Sequence, residues 1–197
     1  MRKIVLFSTP TPANIDKILE LVFPKEIERK VCAYMPSDGA NCPQKYQDEW
    51  KGYAEECGAE FIYIDNSKEN ANDEFAKLLE ATVLIITGGN TFKLLDNLRK
   101  SGLDKAIQEF ANKKEFVLAG FSAGALVLTP TIEICNLPNY DKNEVGLKDL
   151  RGLDVVNFEV FPHYSEQEQK NILDKYKGRA KNEVKEITND DFIVIDL

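Results

Sequence analysis

Histidine is nearly absent from this chain: His163 is the only one in 197 residues, which excludes any metal centre built on several imidazoles. Cysteine is sparse and unpatterned. Cys32, Cys42, Cys57 and Cys135 include no Cys-x-x-Cys pair, so neither a zinc site nor a disulfide framework is expected, and reduced thiols are. No apolar run is long enough to span a bilayer. The run in Met1–Ser8 stops at Thr9-Pro10-Thr11-Pro12, too short for a signal peptide, and a cytoplasmic protein is expected. Basic clusters are missing too. With 25 Lys and Arg against 33 Asp and Glu, the net charge of −8 argues against a nucleic-acid or membrane partner. There is no repeat, linker or low-complexity segment, and no motif asks for a cofactor.

What remains is an ordinary globular composition, 43% hydrophobic and 29% charged, of a length that suits one domain over residues 1–197. Apolar runs at Lys3–Ser8, Arg29–Met35, Phe61–Ile64, Thr82–Thr87 and from Phe116 read as strands, the first buried on both faces because it does not alternate. Between them, helical periodicity predicts helices over Ala13–Phe23, Pro43–Cys57, Asn72–Glu80, from Phe92, and over Leu103–Ala111. Such alternation predicts a doubly wound α/β domain with its ligand at the carboxyl ends of the strands. Pro130 to Gly152 is expected to be a hairpin or surface flap, and Leu153–Phe161 a further strand. A helix over Ser165–Lys177, capped by a Ser165/Glu168 box, and strands at Val184–Ile187 and Phe192–Asp196 complete the chain.

The most informative stretch is Gly120-Phe121-Ser122-Ala123-Gly124, where a β-prone run breaks and a small-residue helix begins. A strand turning sharply into a helix strains the central residue and exposes it, and glycines on either side let the elements approach; this is the pattern of a nucleophile elbow. The bland alternative is a βα turn that Ser122 merely caps. A serine hydroxyl needs a base, and the only imidazole, His163, falls at another strand end. The base in turn needs an acid. If that acid precedes the histidine, Glu133, Asp141, Glu144, Asp149, Asp154 and Glu159 are candidates; if it follows, Asp190 or Asp191 is best placed. Gly88-Gly89 sits at the end of the fourth strand, where a backbone N–H can serve an oxyanion, although a plain turn capped by Asn90 reads equally well.

Taken together and in order, Gly88-Gly89-Asn90-Thr91-Phe92, Gly120-Phe121-Ser122-Ala123-Gly124-Ala125, Pro130-Thr131-Ile132 and Pro162-His163-Tyr164 resemble the peptidase E (aspartyl dipeptidase) family of serine peptidases. The resemblance implies a three-layer α/β/α sandwich with a mostly parallel central sheet, like class I glutamine amidotransferases, and cleavage of short peptides without metal or cofactor. It carries the nucleophile onto Ser122, the base onto His163 and the oxyanion donors onto the backbone of Gly89 and Ala123. Leu137 stands where the family has an Asp, which leaves the turn Asn189-Asp190-Asp191, and Asp190 is the expected acid; Asn189 in its place would weaken the triad. Asn90 and Gln167 are the expected substrate-binding positions. Gln167 replaces an Arg that would pair an aspartyl substrate, so the resemblance implies a dipeptidase without strict aspartyl preference. Lys170 or Arg179 could swing in to restore that preference. The expected partner is a short peptide, and the chain a monomer or homodimer. An esterase or amidase with the same triad, or a catalytically silent binding module of the same fold, are the competing readings.

Overall fold

The computed structural model describes residues 1–69 and 71–197. In chain order it runs β1 (Arg2–Phe7), α1 (Ile15–Val22), β2 (Val31–Met35), α2 (Gln44–Glu56), β3 (Glu60–Tyr63), α3 (Asn72–Glu80), β4 (Val83–Ile86), α4 (Thr91–Ser101) and α5 (Leu103–Phe110). It continues through β5 (Phe116–Phe121), α6 (Ala123–Val127), β6 (Glu159–Pro162), α7 (Glu166–Lys177), β7 (Val184–Ile187) and β8 (Phe192–Asp196). Six strands form the central sheet in the order β3-β2-β4-β5-β1-β8. Every pairing is parallel except that of β8, which closes the edge antiparallel to β1. β6 and β7 pair parallel as a separate two-stranded sheet, which the linear pattern did not distinguish from the main one.

The strand periodicity of two divides the core into two layers of packing. Ile4, Leu6, Ala33, Leu84, Ile86 and Leu118 face the layer that holds α3, α4, α5, α6 and α7. Val5, Phe7, Tyr34, Ile85, Val117 and Ala119 face α1 and α2, where Ile18, Val22, Trp50 and Ala54 meet them. Helices thus cover both faces of a mostly parallel sheet, the three-layer α/β/α arrangement expected.

Two expectations change in detail. The strand read over Leu153–Phe161 narrows to Glu159–Pro162, because Leu153 and Val155 spend their N–H groups on the carbonyls of Val127 and Leu128, which buries Leu153 and half-buries Val155 without a strand partner. At the start of α7 the capping box is not formed. Ser165 makes no side-chain cap; Gln169, rather than Glu168, reaches back to accept the Ser165 N–H at 2.8 Å. The Pro130–Gly152 region folds back on itself through one antiparallel bridge, Thr131 to Arg151, and includes a short 3-10 turn at Glu133–Asn136.

The elbow is built on two close backbone approaches. A Cβ on Gly124 would lie 2.0 Å from the Ile86 carbonyl oxygen, and one on Gly120 would lie 2.6 Å from the Gly124 carbonyl oxygen. Both obstacles are backbone and cannot rotate aside. Gly124→Ala is therefore expected to lower stability by about 2–3 kcal/mol or more in urea denaturation, at the upper end of overpacking costs. Gly52, in the middle of α2 with nothing within 4 Å of its notional Cβ, is the matched control. Gly52→Ala is expected to raise stability by about 0.5–1 kcal/mol through helix propensity and a less disordered unfolded chain. A stable Gly124→Ala would contradict this account of the elbow.

Candidate active site

Ser122 stands between β5 and α6 with φ 52° and ψ −115°, a backbone conformation rarely open to a residue with a side chain. Its strain is held by neighbours: the Ser122 N–H donates to the Phe7 carbonyl at 3.0 Å, and its carbonyl accepts from Leu126 at 3.0 Å in the first turn of α6. The chain is locked from both sides, and the hydroxyl projects from the sheet edge.

His163 follows β6 and is also at positive φ, 59°. Ser8, fully buried past the end of β1, fixes it. The His163 N–H donates to Ser8 Oγ at 2.8 Å, while Ser8 Oγ donates to the Ile187 carbonyl at 2.9 Å, tying β6, β1 and β7 at one point. The imidazole Nε2 then lies 2.9 Å from Ser122 Oγ. The elbow serine and the sole histidine, 41 positions apart, are brought into direct hydrogen-bonding contact.

The third position differs from expectation. Asn189, not Asp190, faces the imidazole, with its Oδ1 2.8 Å from His163 Nδ1. Asp190 points away and accepts from Thr11 Oγ1 at 2.9 Å, and Asp191 is taken by Thr188 Oγ1 at 2.6 Å. The turn is oriented by Asn14, whose amide donates to the carbonyls of Thr9 and Asn189, each at 3.1 Å. Successive residues in the turn project different ways, so a register one residue off reverses which side chain meets the base. If Nε2 is to accept from the Ser122 hydroxyl, Nδ1 must carry the proton, and Asn189 Oδ1 is an acceptor suited to it. The amide can hold the tautomer but brings no charge to balance an imidazolium.

Gly88-Gly89 shows a second arrangement that the linear pattern did not reveal. The Gly88 carbonyl accepts from Ser37 Oγ at 2.7 Å and Thr87 Oγ1 at 3.2 Å. In a trans peptide the N–H points opposite to the carbonyl, so these two hydroxyls turn the Gly89 N–H away from Ser37. Gly89 has φ 143°, and a Cβ there would lie 1.9 Å from Ser37 Oγ, which demands glycine. Ser8, Ser37 and Asn14 gave no signal in sequence; isolated polar residues at strand ends are too common to single out.

The two expected substrate-binding residues are not in the cleft wall. Asn90 caps α4, accepting the Lys93 N–H at 2.9 Å and donating to the Lys142 carbonyl at 2.9 Å. Gln167 is exposed on α7, and Gln169 two positions on lines the cleft instead. The cleft beside Ser122 and His163 encloses about 300 Å³ and is otherwise walled by Thr91, Asn139, Tyr140 and Asp141 among others. Burial pushes the Tyr140 phenol far above its ordinary range, so it is neutral, and it donates to the Pro162 carbonyl at 3.1 Å. Asp141 accepts the Thr91 N–H at 2.7 Å. Neither Lys nor Arg is among the residues lining the cleft. Lys170 is paired with Glu166 at 2.7 Å and Arg179 lies over the Tyr176 ring at 5.5 Å, so neither cation stands in for the missing arginine. Among the described residues, no group of three or more His, Cys, Asp or Glu side chains gathers as a metal site, and no helix is long and apolar enough to cross a membrane.

The model of peptidase family S51 matches residues 6–196, nearly the entire chain. The chain belongs to peptidase family S51. It is 32% identical to an uncharacterised peptidase of Listeria monocytogenes over 76% of this chain and 74% of that one. It is 26% identical to peptidase E of Shigella flexneri over 88% of this chain and 71% of the relative. A crystal structure of a candidate peptidase E protein from Listeria monocytogenes superposes with a TM-score of 0.76, at 25% identity, over 100% of this chain and 99% of that one. A peptidase from an acI-B1 actinobacterium shares the fold, with a TM-score of 0.73. The chain is thus a serine-type peptidase of the peptidase E family, and its three-layer fold is the one its relatives adopt.

The third position gives a direct prediction. Asn189→Asp is expected to raise kcat by about ten- to a hundredfold, since a carboxylate there would stabilise the imidazolium at a solvent-exposed site where part of its field is screened. Asp190→Asn is expected to change kcat by less than about twofold. Steady-state kinetics on the two variants checks both, and an unchanged or lower kcat for Asn189→Asp would contradict the reading.

Proposed function

We propose that the chain is an exopeptidase that hydrolyses dipeptides or very short peptides, with Ser122 as nucleophile, His163 as general base and acid, and Asn189 as the residue that orients the imidazole. The observation that carries the reading is the 2.9 Å contact between His163 Nε2 and the hydroxyl of a strained elbow serine. His163 takes the Ser122 proton as Oγ attacks the scissile carbonyl carbon. The oxyanion is received by the backbone N–H groups of Gly89 and Ala123, the former oriented by Ser37 and Thr87, the latter at the first position of α6, where an N–H has no intrahelical partner. His163 then returns the proton to the leaving amine, and water repeats the sequence on the acyl-enzyme.

Strict aspartyl specificity does not fit this cleft. A buried substrate carboxylate needs a cation, and the lining offers Asp141 and neutral side chains instead. Neutral or basic N-terminal residues are therefore the proposed substrates.

One observation favours a second reading, a silent binding module: the uncharged Asn189 in place of an acid. A fluorophosphonate probe separates the two, because covalent labelling requires an activated serine. Labelling at Ser122, lost in Ser122→Ala and in His163→Ala, is expected. Ser122→Ala is further expected to leave less than about one per cent of wild-type turnover with the fold intact. Across Asp-Leu, Ala-Leu and Lys-Leu, kcat/KM is expected to be lowest for Asp-Leu. A tenfold advantage for Asp-Leu, about 1.4 kcal/mol, would mean that a cation reaches the cleft after all.

A further inference from the structure

On the opposite face of the sheet from the cleft lies a larger cavity of about 560 Å³, whose wall includes Ser37, Thr87 and Gly89 but whose aromatic depth has no role in the chemistry above. Its inner wall is Gly88, Gly89 and Phe121, the strand ends that carry the elbow. A methyl placed on Gly88 would meet Ser122 Cβ at 3.0 Å and the Phe121 ring at 3.4 Å, so the cavity opens one residue away from the nucleophile. Its depth is aromatic. Trp50 stacks on Phe121 at 5.9 Å with an interplanar angle of 19°, Tyr34 lies 6.4 Å from Trp50, and Tyr46 stands half-exposed at the mouth. The buried rings of Tyr34 and Trp50 are held by core packing, so the shape is preformed.

The electrostatics suit an uncharged occupant. Burial pushes the Tyr34 phenol and the Cys42 thiol up, which leaves both neutral. Asp38 at the rim is matched by Lys93 at 2.8 Å, and Glu49 accepts from the Tyr53 hydroxyl at 3.3 Å. No Lys or Arg lines the cavity. The polar cleft across the sheet is smaller, about 300 Å³, and carries Asp141 in its wall.

We propose that this aromatic cavity is the subsite for the residue on the carboxyl side of the scissile bond, and that it selects a bulky apolar side chain, aromatic above aliphatic. The assignment rests on the peptidase reading for its chemistry, with Ser122 lying between an acidic pocket for the amino end and an apolar pocket for the next side chain. Contacts with the edges of the Tyr34 and Trp50 rings in the cavity's depth and with the half-exposed Tyr46 at its mouth give aromatic rings the advantage.

The test compares Ala-Phe, Ala-Ala, Phe-Ala and Ala-Arg as substrates. Ala-Phe is expected to exceed Ala-Ala in kcat/KM by about tenfold or more. Tyr46→Ala, at an exposed helical position where folding is not at risk, is expected to shrink that ratio by at least about threefold. Equal rates for Ala-Phe and Ala-Ala, faster cleavage of Phe-Ala than of Ala-Phe, or a lead for Ala-Arg would each overturn the assignment. Trp50 is the only tryptophan in the chain, so its emission reports the cavity without labelling. In the Ser122→Ala variant, Ala-Phe is expected to change that emission saturably, and Ala-Ala at equal concentration to leave it unchanged; no response to Ala-Phe would also overturn the assignment. If Trp50 responds but wild-type protein cleaves no dipeptide, the subsite stands and the peptidase mechanism falls. If dipeptides are cleaved without regard to the second residue, the reverse holds.

Discussion

The catalytic end depends on how closely α6 lies against the ends of β4 and β5. Gly124 sits directly on the Ile86 carbonyl and Gly120 beneath the Gly124 carbonyl, with no room for a carbon atom at either place. That proximity forces the chain to turn within one residue, and the residue that turns is Ser122 at positive φ. Strain at Ser122 is therefore a consequence of backbone packing on both sides, and it raises the hydroxyl above the sheet where a base can reach it.

A parallel sheet brings strand ends together but does not align the loops that leave them. Here buried hydroxyls do so. Ser8 bonds the His163 N–H and the Ile187 carbonyl, which joins the small β6–β7 pair to the main sheet. Ser37 and Thr87 bond the Gly88 carbonyl and set the peptide plane on the other side of Ser122. Each hydroxyl bonds backbone groups at the strand ends, so the same bonds that stabilise the loops also position His163 and the Gly89 N–H.

The order of strands and helices was legible because buried parallel strands are continuous apolar runs and the helices between them are amphipathic. The elbow was legible for a sharper reason: only glycine tolerates the contacts at 120 and 124, so the constraint is written in the residue type. Where tertiary contacts decide, the reading slipped. Leu153 and Val155 are as apolar as strand residues but bond the Val127–Leu128 backbone. Gln169 and Gln167 are the same residue two positions apart on one helix, and only the helix phase, set by packing of Leu173 and Tyr176, tells which faces the cleft. The turn at 189–191 offered two carboxylates and one amide, and the side chain that meets His163 is fixed by Asn14, whose bond to the Asn189 carbonyl has no counterpart in local sequence.

The amide at that position is easier to understand from its surroundings. His163 and Asn189 are both exposed, so in the proposed mechanism water would solvate the imidazolium as it forms and meet part of the charge balance a carboxylate would supply. The part that solvent cannot supply is direction, since a ring free to rotate presents either nitrogen to Ser122. Asn189 Oδ1 at 2.8 Å from Nδ1, with its own backbone held through Asn14, supplies direction alone. A neutral third residue also leaves the neighbourhood of the cleft with one fewer anion beside Asp141.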